Sequence, residues 1–192
     1  MSISFHDVEK VQALYPDNQI EWREGKLIVM SPSDGTSGEV GVGFSALLHI
    51  WVRQHGLGRV LDSSTGFRLP NGDLLSPDVS FVSRERLKQN PRTYLPVVPE
   101  LIVEIKSSTD RICELERKIA LFLHQGVQVG ILLDPDKHTV SVYRSSGLRN
   151  NDESEEDLPQ GTTLHDGDIL SIPELFPGWE IPITDLWPPV YE

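Results

Sequence analysis

Two stretches of the chain repeat their apolar residues at helical spacing. Between Glu39 and Gln54 these are Val40, Phe44, Leu47, Leu48 and Trp51, with Gly56 and Gly58 to stop the helix. Ile112, Leu115, Ile119 and Phe122 mark a second helix, which opens on the cap-rich "SSTD" and closes at Gly126. Elsewhere the pattern is that of strands. "NQIEWREGKLIVMSP" reads as a hairpin turning at Glu24-Gly25, and "SPSDGTSG" as a loop. Residues 59–83 read as two strands joined through Asn71-Gly72, and a proline-bearing linker covers 84–98. "VQVGILLDPDKHTVSVYR" is a hairpin turning at Asp134-Pro135-Asp136, and "DGDILSIPELFPGWEIPITDLW" supplies a further short hairpin and a docked tail. This order predicts an α/β sandwich around a mixed sheet.

One strand breaks the pattern. In "PELIVEIKSS", Leu101, Ile102, Val103 and Ile105 form a short buried run, yet Glu104 and Lys106 interrupt it. Strand side chains alternate, so both charges point to one face together with Ile102. Burying unpaired charge is costly, which asks for a reason.

Composition narrows the reasons. With 192 residues, 38% of them hydrophobic, the chain is expected to fold as one domain with a sizeable core. No apolar run is long enough to span a bilayer, and the first residues lack the basic-then-apolar order of a signal peptide. The expectation is a cytoplasmic protein. The lone Cys113 excludes an internal disulfide and a cysteine-based zinc site. The net charge of −12 is unevenly spread: residues 151–192 hold 11 acidic residues and no Lys or Arg, while residues 58–150 hold 13 basic and 11 acidic. The middle of the chain can therefore meet phosphate despite the overall sign. Residues 145–160 are acidic and are expected to form a mobile loop.

A carboxylate on a rigid strand can hold a divalent cation, and a nearby lysine can orient water or stabilise anionic charge. Mg²⁺ takes one or two carboxylates and keeps waters and phosphate oxygens, so a second carboxylate is needed. Asp78 in "LLSPDVSFV" is the candidate, because pairing of 78–83 with 100–106 would set it beside Glu104 at the sheet margin. Such a site suits metal-assisted attack of water on a phosphodiester.

Pro77-Asp78 followed by Glu104-Ile105-Lys106 resembles the PD-(D/E)XK nuclease signature. The ordered blocks "EWREGKLIVMSPS", "LLSPDVSFVS", "PELIVEIKSSTDR", "ELERKIALFLHQGVQVGILLDPDKHTVSVYR" and "GDILSIPELFPGWEIPITDL" are similar to the Uma2-type endonucleases of that superfamily, over roughly residues 5–187. The resemblance implies a restriction-endonuclease-like α/β core: a central mixed sheet flanked by helices, with an N-terminal hairpin and a C-terminal β extension. It implies Mg²⁺ or Mn²⁺ held by Asp78, Glu104 and the Ile105 carbonyl, with Lys106 as the catalytic lysine. Glu39 corresponds to an accessory carboxylate of the first helix, and Lys118 to a lysine facing the site and contacting phosphate. DNA is the implied partner, and a homodimer is in keeping with family precedent.

Blander readings stand beside these. Asp78 is also a turn residue, Glu104 with Lys106 a strand-end ion pair, Glu39 a favourable charge in a first helical turn and Lys118 a solvated helix residue. Glu100 reads as an exposed strand start and Asp134 as a turn residue only. "GEVGVG" has the wrong glycine order for a dinucleotide fingerprint, and the six histidines show no zinc-site pairing. Arg68, Arg84, Arg92 and Arg111 are candidate phosphate contacts, and the four tryptophans are packing residues. The alternative function is a catalytically silent nuclease fold used as a binding or regulatory module.

Overall fold

The computed structural model describes residues 5–15, 18–145 and 160–191. All but the two end residues of the 145–160 loop lie outside these. The elements are α1 (Phe5–Leu14), β1 (Gln19–Arg23), β2 (Lys26–Met30), α2 (Gly35–His55), β3 (Gly58–Asp62), β4 (Phe67–Arg68), β5 (Leu74–Leu75) and β6 (Val79–Ser83). There follow β7 (Leu101–Ile105), α3 (Ile112–His124), β8 (Val129–Asp134), β9 (Thr139–Arg144), β10 (Gly161–His165), β11 (Ile169–Ser171) and β12 (Glu180–Pro182).

Six strands form the central sheet in the order β10-β9-β8-β7-β6-β3. Only β7 and β8 run parallel, joined by α3 as the crossover that such a pair requires. Both strands are buried along their whole length, as expected of strands covered on two faces. A second sheet, β2-β1-β5-β4, holds the expected N-terminal hairpin, and β11 pairs with β12 as the expected C-terminal one.

Alternation along β7 divides the core. Leu101, Val103 and Ile105 pack with Val40, Phe44, Leu48 and Val52 of α2 and with Phe176, Trp179 and Ile183 of the C-terminal segment. Ile102 faces the other way, into a cluster with Ile119 and Phe122 of α3, Phe67 and Leu75. Each fully buried Leu or Phe contributes about 1.5–3 kcal/mol, so both faces bind the sheet firmly. On the α3 side Gly130 permits close approach: a Cβ there would lie 2.5 Å from Ile119 Cγ2.

Several expectations are corrected. Helix α2 starts four residues before Glu39, inside the expected loop, because Asp34 caps it by accepting from Ser37 N at 2.9 Å. The other carboxylate oxygen of Asp34 accepts from Ser108 N at 2.7 Å, tying the helix start to the turn after β7. The "SSTD" cluster does not cap α3; Asp110 accepts instead from Ser107 N and Oγ. Residues 59–83 hold more than two strands: β3 pairs with β6, while β4 and β5, around Asn71-Gly72, belong to the smaller sheet. Helix α1 and strand β10 add elements that the pattern did not signal.

Candidate active site

Strands β6 and β7 pair antiparallel with Val79 opposite Val103 and Ser80 opposite Ile102. One step further, the same register sets Asp78 across from Glu104, on the face that looks toward α3. Asp78 is fastened by its Oδ2, which accepts from Ile105 N at 2.7 Å. Glu104 is only 2% exposed, whereas Asp78 is half-buried and forms the solvent side of the pair.

A lysine lies among these carboxylates, and it comes from α3. Lys118 is 4% exposed; its Nζ stands 3.1 Å from Glu104 Oε1 and 2.8 Å from Glu21 Oε1, and donates to Ser76 O at 2.9 Å. Glu21, in the middle of β1, is equally buried and accepts from Ser76 N at 2.9 Å. Four stretches of chain thus converge on one ammonium. The close seat of α3 over Gly130 brings Lys118 within reach of the sheet.

The electrostatics follow from one cation facing three carboxylates. Burial pushes the Glu104 carboxyl up to about 8, against the pull of Lys118, and the charges of Asp78 and Glu21 add to the rise. Burial also raises Asp78, although Lys118 and the Ile105 N–H oppose it. For Lys118 burial works against the charge, but Glu104, Glu21 and Asp78 together outweigh it and hold the ammonium above its usual range. The two tendencies are consistent: one cation among three carboxylates favours the charged ammonium and makes Glu104 and Asp78 harder to ionise than free carboxyls. Glu104 Oε1, despite its nearness to Lys118, has no partner in hydrogen-bond geometry.

Other expected site residues lie apart from this cluster. Lys106 stands just beyond the end of β7, and its ammonium pairs with Asp136 at 2.5 Å and donates to Ser107 O, with no ion pair to Glu104 or Asp78. Glu39 is exposed on α2, on the opposite side of the sheet from Glu104, and bonds to none of the described residues. The solvated reading of Lys118 fails, since it is one of the most buried charges in the chain. Glu100 is not exposed either: it accepts from Ser83 N and Oγ and pairs with Arg86 at 3.0 Å. Asp134 is buried at the end of β8, accepting from Asp136 N in its turn. All four arginines, Arg68, Arg84, Arg92 and Arg111, are exposed, with Arg84 paired to Glu85. In the sequence Glu21 reads only as part of a hairpin.

The donor set fits a hard divalent cation. Asp78 and Glu104 are adjacent oxygen donors in surplus over the available positive charge, with Glu104 Oε1 facing the Lys118 ammonium at 3.1 Å. Asp78 and Glu104 are two carboxylates, within the one or two that Mg²⁺ takes; no group of three His, Cys, Asp or Glu side chains that could hold a metal ion occurs among the described residues. No helix among the described residues is long and apolar enough to cross a membrane.

Comparison with known proteins agrees with the fold. The solved structure of a putative nuclease belonging to DUF820 from Anabaena variabilis superposes with a TM-score of 0.79 at 20% identity, covering 96% of this chain and 97% of that one. A partial likeness to a cryo-EM structure of a DrdV-DNA complex has a TM-score of 0.33 at 19% identity. It covers 52% of this chain and 8% of that one, too little to carry weight. No curated protein matches. The Uma2 family, described as putative restriction endonucleases, matches residues 5–184, and the chain belongs to that family, whose description and fold support a nuclease.

Proposed function

We propose that this protein is a metal-dependent endonuclease that hydrolyses DNA phosphodiester bonds. The observation that carries the reading is the register that sets half-buried Asp78 across from buried Glu104 at the margin of the sheet, with more carboxylate than the single Lys118 ammonium can balance. Asp78, Glu104 and the Ile105 carbonyl would hold Mg²⁺ or Mn²⁺. Bound there, the cation would polarise the scissile phosphate and lower the pKa of a water.

The chain's own groups set the geometry. Ile105 N fixes Asp78, so the carboxylate is positioned before substrate arrives. Glu21 holds Lys118 against Glu104 and keeps positive charge at the floor of the site. Lys106, at the rim, exchanges Asp136 for a phosphate oxygen and stabilises the negative charge that builds on it. Arg92 and Arg111 contact the DNA backbone, which positions a duplex without reading its sequence.

The test is cleavage of supercoiled plasmid and of single-stranded DNA in Mg²⁺, Mn²⁺ or EDTA, beside a Mn²⁺ titration followed calorimetrically. Asp78→Asn and Glu104→Gln should abolish both cleavage and cation binding, while Lys106→Met should lower cleavage and leave binding intact. A parent protein that binds no cation and cuts neither substrate would refute the proposal. One observation favours a silent binding module instead: the Lys118 ammonium already stands among the carboxylates that a cation would need. Cation binding by the parent decides between the two.

A further inference from the structure

The side of α2 turned away from the sheet is apolar where a solvent face would be polar. Val42 is 71% exposed and Ile50 55%, and Ala46 between them is exposed too. Glu39 and Arg53 close the two ends of this row, and neither pairs with a described residue. At about 100° per residue these five positions fall on one stripe opposite Val40, Phe44, Leu48 and Val52, the buried side.

The stripe is symmetric about Ala46. Glu39 and Arg53 lie seven residues to either side, and Val42 and Ile50 lie four. An antiparallel copy of the same helix, related by a two-fold axis at Ala46, therefore meets it with complementary groups at each level. One copy's Glu39 faces the other's Arg53, Val42 packs beside Ile50, and the small Ala46 lets the two helices approach closely at the axis. Such self-complementarity is the requirement of a two-fold interface. A parallel copy would set Glu39 against Glu39 and Arg53 against Arg53.

We infer that this face of α2 is the interface of a homodimer, its occupant being α2 of a second copy packed antiparallel across Ala46. The inference does not depend on the nuclease reading, because none of the five residues is in the carboxylate cluster.

Sedimentation velocity and light scattering on the full chain test it. The parent should sediment as a dimer, and Ala46→Arg should sediment as a monomer with unchanged far-ultraviolet circular dichroism. The decisive series is charge reversal on the exposed ends. Glu39→Arg or Arg53→Glu alone should raise the dissociation constant on the order of tenfold by setting like charges opposite each other. The double variant Glu39→Arg/Arg53→Glu should restore it, since the pairs are then rebuilt with their signs exchanged. A monomeric parent, a dimer indifferent to these changes, or a double variant no tighter than the single ones would overturn the proposal.

Discussion

The two faces of the central sheet use the same strands differently. Toward α2, Leu101, Val103 and Ile105 of β7 meet an apolar layer from the helix and the C-terminal segment. Toward α3, Ile102 joins an apolar layer of its own, but two residues along, Glu104 meets Lys118, Glu21 and Asp78. The first face gives stability through packing alone. The second combines packing with a buried charge cluster whose components would be costly singly and are tolerated only together. Period-two alternation lets one strand serve both ends, because a change on odd residues leaves the even ones in place.

The largest break in this contrast is Lys118→Met, which strips the counterion from buried Glu21 and Glu104 and half-buried Asp78 and should cost about 3–5 kcal/mol of unfolding free energy. Its pH dependence is the signature. Glu104, raised from 4.5 to about 8, binds a proton more readily folded than unfolded. Its stabilising contribution is thus full below its unfolded value and is lost as pH climbs through the folded one. Without Lys118 that bias grows, so urea unfolding should show a loss that is smaller near about pH 5 and increases as pH passes about 8. Leu48→Ala, on the α2 face, should cost about 2–5 kcal/mol by leaving a cavity, with the same loss at both pH values. A pH-dependent Leu48→Ala would erase the distinction between the faces.

Smaller effects sharpen it. Gly130→Ala forces Ile119 and α3 off the sheet and should cost about 1–3 kcal/mol by overpacking. Because Lys118 rides on that helix, cation affinity by Mn²⁺ titration should change as well; an unchanged affinity would detach α3 packing from the site. Asp34→Ala should lower the urea midpoint modestly at neutral pH. Hydrogen bonds from Ser37 N and Ser108 N hold the Asp34 carboxyl down to about 2, so its contribution is present above the ordinary carboxylate range and fades as pH falls toward 2. Parent and variant should therefore converge in acid. Lys106→Met, which removes a pair with the exposed Asp136 and a hydrogen bond to Ser107 O at the rim, should change stability by less than about 1 kcal/mol.

The legible parts were those with a periodic signal. The stripes of α2 and α3 and the apolar runs of β7 and β8 sufficed for the mixed sheet and its crossover. Glu104 stood out because a charge inside an apolar strand has no bland context. Glu21 carries the same signal, a carboxylate between Ile20 and Trp22, but a hairpin admits one solvated face and hides it. Lys118 was also readable: it lies three residues after Leu115 and four before Phe122, which places it on the inner stripe of α3. A lysine on an amphipathic helix is ordinarily solvated, and that expectation obscured its position. The early start of α2 turned on Asp34, whose second bond runs to Ser108, a contact that no local pattern reveals.

Glu21, Asp78, Glu104 and Lys118 come from four separate stretches, the first and last half a chain apart. Contacts of such separation form late, because the loops between them must close first. During synthesis the ribosome releases all three carboxylates before the lysine that gathers them, and Gly130 and β8 come later still. The cluster's assembly reports that β1, β6 and β7 have met α3, so the docking of this one helix serves as the timer of the site.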